Sequence, residues 1–178
     1  MRYFLNVLVV TFMFLSIAVA QTASPQLSEH LQPLGRFIGK TWKGEFVSST
    51  PENRIYDIVR WERVLNGKAI RIVHSVNDGQ FGGEQILMWD GGKKSLMSWY
   101  FSTAGFQTQA TLNVDKGTII SHEKVSGNQN GISEVKSTTR LFPDGRMHVK
   151  SQYLQKEKWV DGHEIHYKLS PESRVIFK

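Results

Sequence analysis

The 178-residue sequence contains no cysteine. That excludes disulfides, a thiol nucleophile, thiol redox chemistry and any cysteine-ligated metal site. The sequence also lacks a G-x-S-x-G elbow, a Walker-type Gly-Lys-Ser/Thr loop, a G-x-G-x-x-G fingerprint and an H-E-x-x-H pair. The usual signatures of α/β-hydrolases, P-loop and dinucleotide enzymes and zincin proteases are therefore missing. There are 22 Lys and Arg against 16 Asp and Glu, a formal charge of +6, but no basic run among them. No nucleic-acid partner is expected. No fixed-period repeat and no low-complexity stretch occurs, and nothing from Thr41 to Leu169 has the periodicity of a long helix.

The N-terminus supplies the one long apolar run. Met1-Arg2 carries a positive charge, Phe4 to Val19 is nearly all apolar, and Ala18-Val19-Ala20 offers a small-residue cleavage site before Gln21. This predicts a signal peptide over residues 1–20, and export to the periplasm or the exterior. An uncleaved anchor is the alternative, but the small-residue exit favours cleavage. Removing 20 residues from 178 leaves 158, enough for one domain with its own core, and no stable transmembrane segment remains. Residues 21–27 predict a flexible leader, and residues 28–178 a single domain.

Ser28 reads as an N-cap, followed by Leu31, Leu34, Phe37 and Ile38 along one helical face. Pro33 keeps this helix short or breaks it, and Gly39 ends it. Strand candidates then run Thr41–Val47, Arg54–Val64, Lys68–Val76, Gly83–Trp89, Ser95–Phe101, Phe106–Val114, Thr118–Val125, Ile132–Phe142, Arg146–Gln155 and Glu164–Leu169. Asn66-Gly67, Asp78-Gly79, Asp115-Lys-Gly117, Pro143-Asp-Gly145 and Asp161-Gly162 read as separating turns, because Gly and Asn tolerate positive φ. Gly82-Gly83 and Gly91-Gly92 also read as hairpin turns. Short sequential connections predict an all-β, antiparallel up-and-down barrel of about 8–10 strands, capped at one end by the short helix.

Alternation along the strands suggests which side chains face inward. Ser133, Val135, Ser137, Thr139 and Leu141 share a small, mixed face opposite Glu134, Lys136, Thr138 and Arg140. Met147, Val149, Ser151 and Tyr153 continue it, as do Thr108, Ala110 and Leu112. Met97, Trp99 and Phe101 also read as inward. Such a wall suits a partly hollow barrel, the alternative being a filled interior. His74 alternates with Ile70 and Ile72, so it faces where they face. Glu123 shares a face with Ile119, Ser121 and Val125, unless that strand is turned to put His122 and Lys124 inside. Glu84 raises the same question. An inward carboxylate would be desolvated and its pKa raised. His163 and His166, three apart on a strand, diverge to opposite faces and read as surface histidines. No metal site is expected from these spacings. The lumenal candidates are His74, Trp99, Glu123 and Tyr153.

Helix-like Leu34 to Ile38 runs into Gly39-Lys-Thr-Trp42, one residue longer than the Gly-x-Trp signature of lipocalins. Trp61-Glu-Arg-Val-Leu-Asn-Gly67, the Gly82-Gly83 segment leading to Met88-Trp89-Asp90, and Tyr100-Phe-Ser-Thr-Ala-Gly-Phe106 extend the similarity. The chain resembles an uncharacterised lipocalin-like family of exported bacterial proteins within the calycin group. That resemblance implies the barrel and no activity. Lys40-Thr-Trp-Lys-Gly44 is also similar to the opening of nitrobindin-type haem barrels, which would make His166 a late haem ligand. Gly39, Trp42 and Gly44 are expected to close one barrel end. The expected function is lumenal binding of a small apolar or amphipathic ligand, with no cofactor unless haem. The alternatives are an enzyme using lumenal His or Glu for proton transfer or hydrolysis, and a solid structural module of the envelope. The sequence specifies neither an activity nor an oligomeric state.

Overall fold

The computed structural model describes residues 26–127 and 130–178. The expected signal peptide and most of the leader lie outside them. Ten antiparallel strands close into a barrel in which every strand pairs with its neighbours in sequence and β1 with β10. The strands are β1 Thr41–Phe46, β2 Tyr56–Val64, β3 Ala69–Val76, β4 Phe81–Asp90, β5 Ser95–Ser102, β6 Gln107–Asp115, β7 Thr118–Ser126, β8 Ile132–Leu141, β9 Met147–Gln155 and β10 Lys158–Leu169. Closure leaves no unpaired sheet edge, so every strand backbone finds ladder partners on both sides. No helix among the described residues is long and apolar enough to cross a membrane.

One end is plugged. The segment Glu29–Phe37 is a 3-10 helix, and its buried residues are Leu31, Leu34 and Phe37. Three residues per turn puts that i, i+3, i+6 set on one stripe, so the spacing fits a 3-10 helix better than an α-helix. Ser28 precedes the helix, but its side chain makes no capping hydrogen bond. The Phe37 ring stacks on Trp61 with centroids 4.4 Å apart and tilts against Trp42 at 6.0 Å. Burying each of these large side chains contributes about 1.5–3 kcal/mol before ordering entropy is subtracted. Leu27 packs against the same cluster, and the Ser28 amide donates to the Gly67 carbonyl. Leu27 and Ser28 thus attach the start of the helix to the plug end of the barrel.

Two sequence expectations are corrected at the level of elements. Asp161-Gly162 is not a turn: β10 runs through it, and the register against β9 shifts there in a bulge. The β9–β10 hairpin turns instead at Lys156 and Glu157, both at positive φ. Gly82-Gly83 likewise lies inside β4. The residues after β10 fold back over the outer face of β3, where the Ile176 amide donates to Ser75 Oγ at 3.0 Å. This cover explains why Val73 and Ser75 are buried although they point away from the lumen.

Candidate functional site

The barrel is hollow. Its upper half, away from the helix, holds a cavity of about 300 Å³. A second chamber of about 160 Å³ lies toward the plug. Val59, Ile72, Gln85, Glu123, Ser137 and Tyr167 line both, so the chambers meet at one belt. The upper chamber is bordered by Phe81, Phe106 and Ile132 from the loop ends of β4, β6 and β8. Its volume falls at the lower end of the range for small-molecule sites.

Asp57 on β2 is a buried acceptor for two lumenal donors. The His74 ring of β3 lies with Nδ1 2.9 Å from Asp57 Oδ1, and the Tyr167 hydroxyl donates to Oδ2 at 2.6 Å. An ionised carboxylate only accepts, so a neutral His74 carries its proton on Nδ1. Its Nε2 then accepts from the Tyr100 hydroxyl at 2.9 Å. Burial, and after it the charges of Asp57 and Glu123, push the Tyr100 phenol well above its ordinary value. Tyr167 is raised too, chiefly by burial. Both phenols therefore stay protonated and act as hydrogen-bond donors.

A second pair sits on β9 and β10. The Tyr153 hydroxyl lies 2.6 Å from His163 Nδ1, and the His163 amide donates to the Tyr153 oxygen at 3.3 Å. The Ser151 Oγ also lies 3.1 Å from Nδ1, so that nitrogen is held by two hydroxyls and the ring presents Nε2 as its other polar atom. That nitrogen has no hydrogen-bond partner among the described residues. Burial inside the barrel lowers the His163 pKa, so the ring is neutral at pH 7. His163 reaches the lumen through the bulge, whose extra residue puts Gly162 and His163 together opposite Ser151.

Glu123 on β7 accepts from Thr108 Oγ1 at 2.7 Å and from Ser121 Oγ at 3.1 Å. Burial pushes its carboxyl up, partly opposed by those two hydroxyls. Deeper down, the buried Trp61 Nε1–H finds no acceptor among the described residues.

Three glycines give the tyrosines their space. A Cβ at Gly83 would lie 2.3 Å from the Tyr100 ring, one at Gly44 2.5 Å from Tyr167, and one at Gly162 2.8 Å from Tyr153. Each tyrosine crosses the wall where a neighbouring strand has no side chain, and so places its hydroxyl on Asp57, His74 or His163.

Of the four lumenal candidates, the structure brings His74, Glu123 and Tyr153 to the cavity. Trp99 is not there. In β5 the inward set is Leu96, Ser98 and Tyr100, while Met97, Trp99 and Phe101 face outward. The expectation chose the greasier face, but the lumen wants hydroxyls and Phe101 is left exposed. Glu84 also points outward, onto Arg71 at 2.7 Å. Trp42 is fully buried in the plug, where its Nε1–H donates to the Gly145 carbonyl at 3.0 Å. Gly39 leaves the helix at φ +77, and Gly44 makes room for Tyr167. Sequence reasoning missed Asp57, Tyr100, Tyr167 and His163. Asp57 alternates with Val59 and Trp61 on β2, and that signal was available. His166, the candidate haem histidine, is exposed on the outer face and does not reach the lumen. No protein-family model matches this chain, and no curated protein matches it.

Proposed function

We propose that this is an exported, lipocalin-like binding protein that takes one small amphipathic molecule into its lumen. The observation that carries the reading is the upper chamber, a space of about 300 Å³ lined by apolar Val59, Ile72 and Val135 together with His163, whose Nε2 has no hydrogen-bond partner among the described residues. A polar ligand atom would complete that nitrogen, and a ligand donor would meet the free lone pair of the Tyr100 hydroxyl. The apolar body would lie against Val59, Ile72 and Val135, at roughly 25 cal/mol per Å² of apolar surface covered. Native mass spectrometry of the purified protein, alone and after soaking with medium-chain fatty acids, small phenols and haem, tests this. A stoichiometric adduct that Val135→Trp abolishes is expected. No adduct with any of these classes would overturn the reading.

Proton-transfer catalysis is the second reading, and the Asp57–His74–Tyr100 chain is what favours it. A phenol pushed upward is a poor acid and supplies no phenolate, so Tyr100 would orient a substrate while Glu123 served as base. A substrate turned over by the wild type but only bound by Glu123→Gln would decide for catalysis.

A further inference from the structure

The outer face of β9 and β10 carries a cluster unrelated to the lumen. His148 and His166 are direct cross-strand partners, and Glu164 lies two residues before His166 on the same face. Their donor atoms all lie within 4.8 Å of one another. We propose that His148, Glu164 and His166 bind one divalent transition-metal ion, of the Zn²⁺, Cu²⁺ or Ni²⁺ type, on this outer face.

The geometry supports a shared ion. Glu164 Oε1 is 2.9 Å from His148 Nε2 and 4.0 Å from His166 Nε2. Ligands bound tetrahedrally at 2.0–2.1 Å stand about 3.3 Å apart, so these separations bracket what a zinc ion needs. The two imidazoles are stacked with centroids 4.5 Å apart and planes within 7°. The second carboxylate oxygen is engaged by Lys150 Nζ at 3.0 Å, which turns Oε1 toward the rings. This is the orienting contact that outer-sphere groups make around bound metals. Two imidazoles and one carboxylate suit late first-row ions and not Mg²⁺ or Ca²⁺, which prefer oxygen. The ligands are partly exposed, which leaves the remaining coordination positions to water or to a donor from another molecule. The bulge fixes this site too, because it sets Glu164 and His166 outward while His163 turns in.

His122 and Glu134 provide an internal control. They form a contact of 2.5 Å on the same outer surface but with a single imidazole. Calorimetric titration of the untagged, metal-stripped protein with ZnCl₂ at pH 7.5 is expected to show one equivalent bound. His148→Ala and His166→Ala should each weaken it by about tenfold or more, and His122→Ala should leave it unchanged. Histidine NMR resonances of the wild type provide a readout that needs no variant: zinc should move His148 and His166 and spare His74 and His163. No saturable binding up to about 1 mM, wild-type affinity retained in either His148→Ala or His166→Ala, or shifts confined to other histidines would overturn the proposal.

Discussion

Glu123 and His163 work against each other as pH changes. The folded Glu123 pKa is raised by burial. Between its ordinary and raised values the folded protein holds a proton that the unfolded chain has released. Its contribution is therefore fully present below the ordinary value and lost as pH rises through the raised one. His163 is lowered by burial. Below the ordinary imidazole value the unfolded chain takes up a proton that the folded one refuses, so its contribution is lost as pH falls. Glu123→Gln removes only the first effect while keeping an acceptor for Thr108 or Ser121. The melting-temperature difference between variant and wild type should therefore grow in the variant's favour from pH 5 to pH 8, measured by thermal scans in matched buffers. A constant difference would show that Glu123 is not desolvated. The alternation grouped Glu123 with Ile119, Ser121 and Val125 but left open which face of the strand turned inward; the structure puts Glu123 at the cavity. Its competitor His122 points outward onto Glu134.

At the scale of elements, strand existence was readable because alternation and Gly-containing turns agree nearly everywhere. Errors arose where the local chemistry contradicts the fold. Gln155-Lys-Glu-Lys158 offers no turn residue, yet Lys156 and Glu157 sit at φ +49 and +63. Asp161-Gly162 looks like a turn and is a bulge. The bulge hid His163, since strict alternation assigns it the face of Asp161. In β5 both faces carry large apolar side chains, Leu96 and Tyr100 on one and Met97, Trp99 and Phe101 on the other, so period alone could not choose the phase. Two L-residues in the left-handed region cost about 1 kcal/mol each. Lys156→Asn with Glu157→Gly supplies residues suited to such a hairpin and should stabilise the barrel by about 0.5–1.5 kcal/mol in urea unfolding at an unchanged m-value. Destabilisation would show that the two side chains contribute contacts outweighing their backbone strain.

At the scale of the whole barrel, the described residues are packed unevenly, as the proposed binding role requires. The plug end gathers Leu31, Leu34, Phe37, Trp42 and Trp61 into one buried cluster. The other half is walled by Val125, Val135 and Ile132 around open space. A buried methyl group stabilises through the neighbours it touches, so truncation is costly where packing is dense and cheap where one side already faces a cavity. Leu34→Ala is therefore expected to cost about 2–5 kcal/mol, and Val125→Ala less than about 1.5 kcal/mol. Chemical denaturation of the two variants measures both. Amide hydrogen exchange should show the same gradient, with slower opening at the plug ends of the strands than at the ends by the cavity. A ligand that fills the upper chamber supplies the missing neighbours there, so bound protein should lose more stability than free protein on Val125→Ala. Equal costs with and without ligand would place the bound molecule outside the lumen.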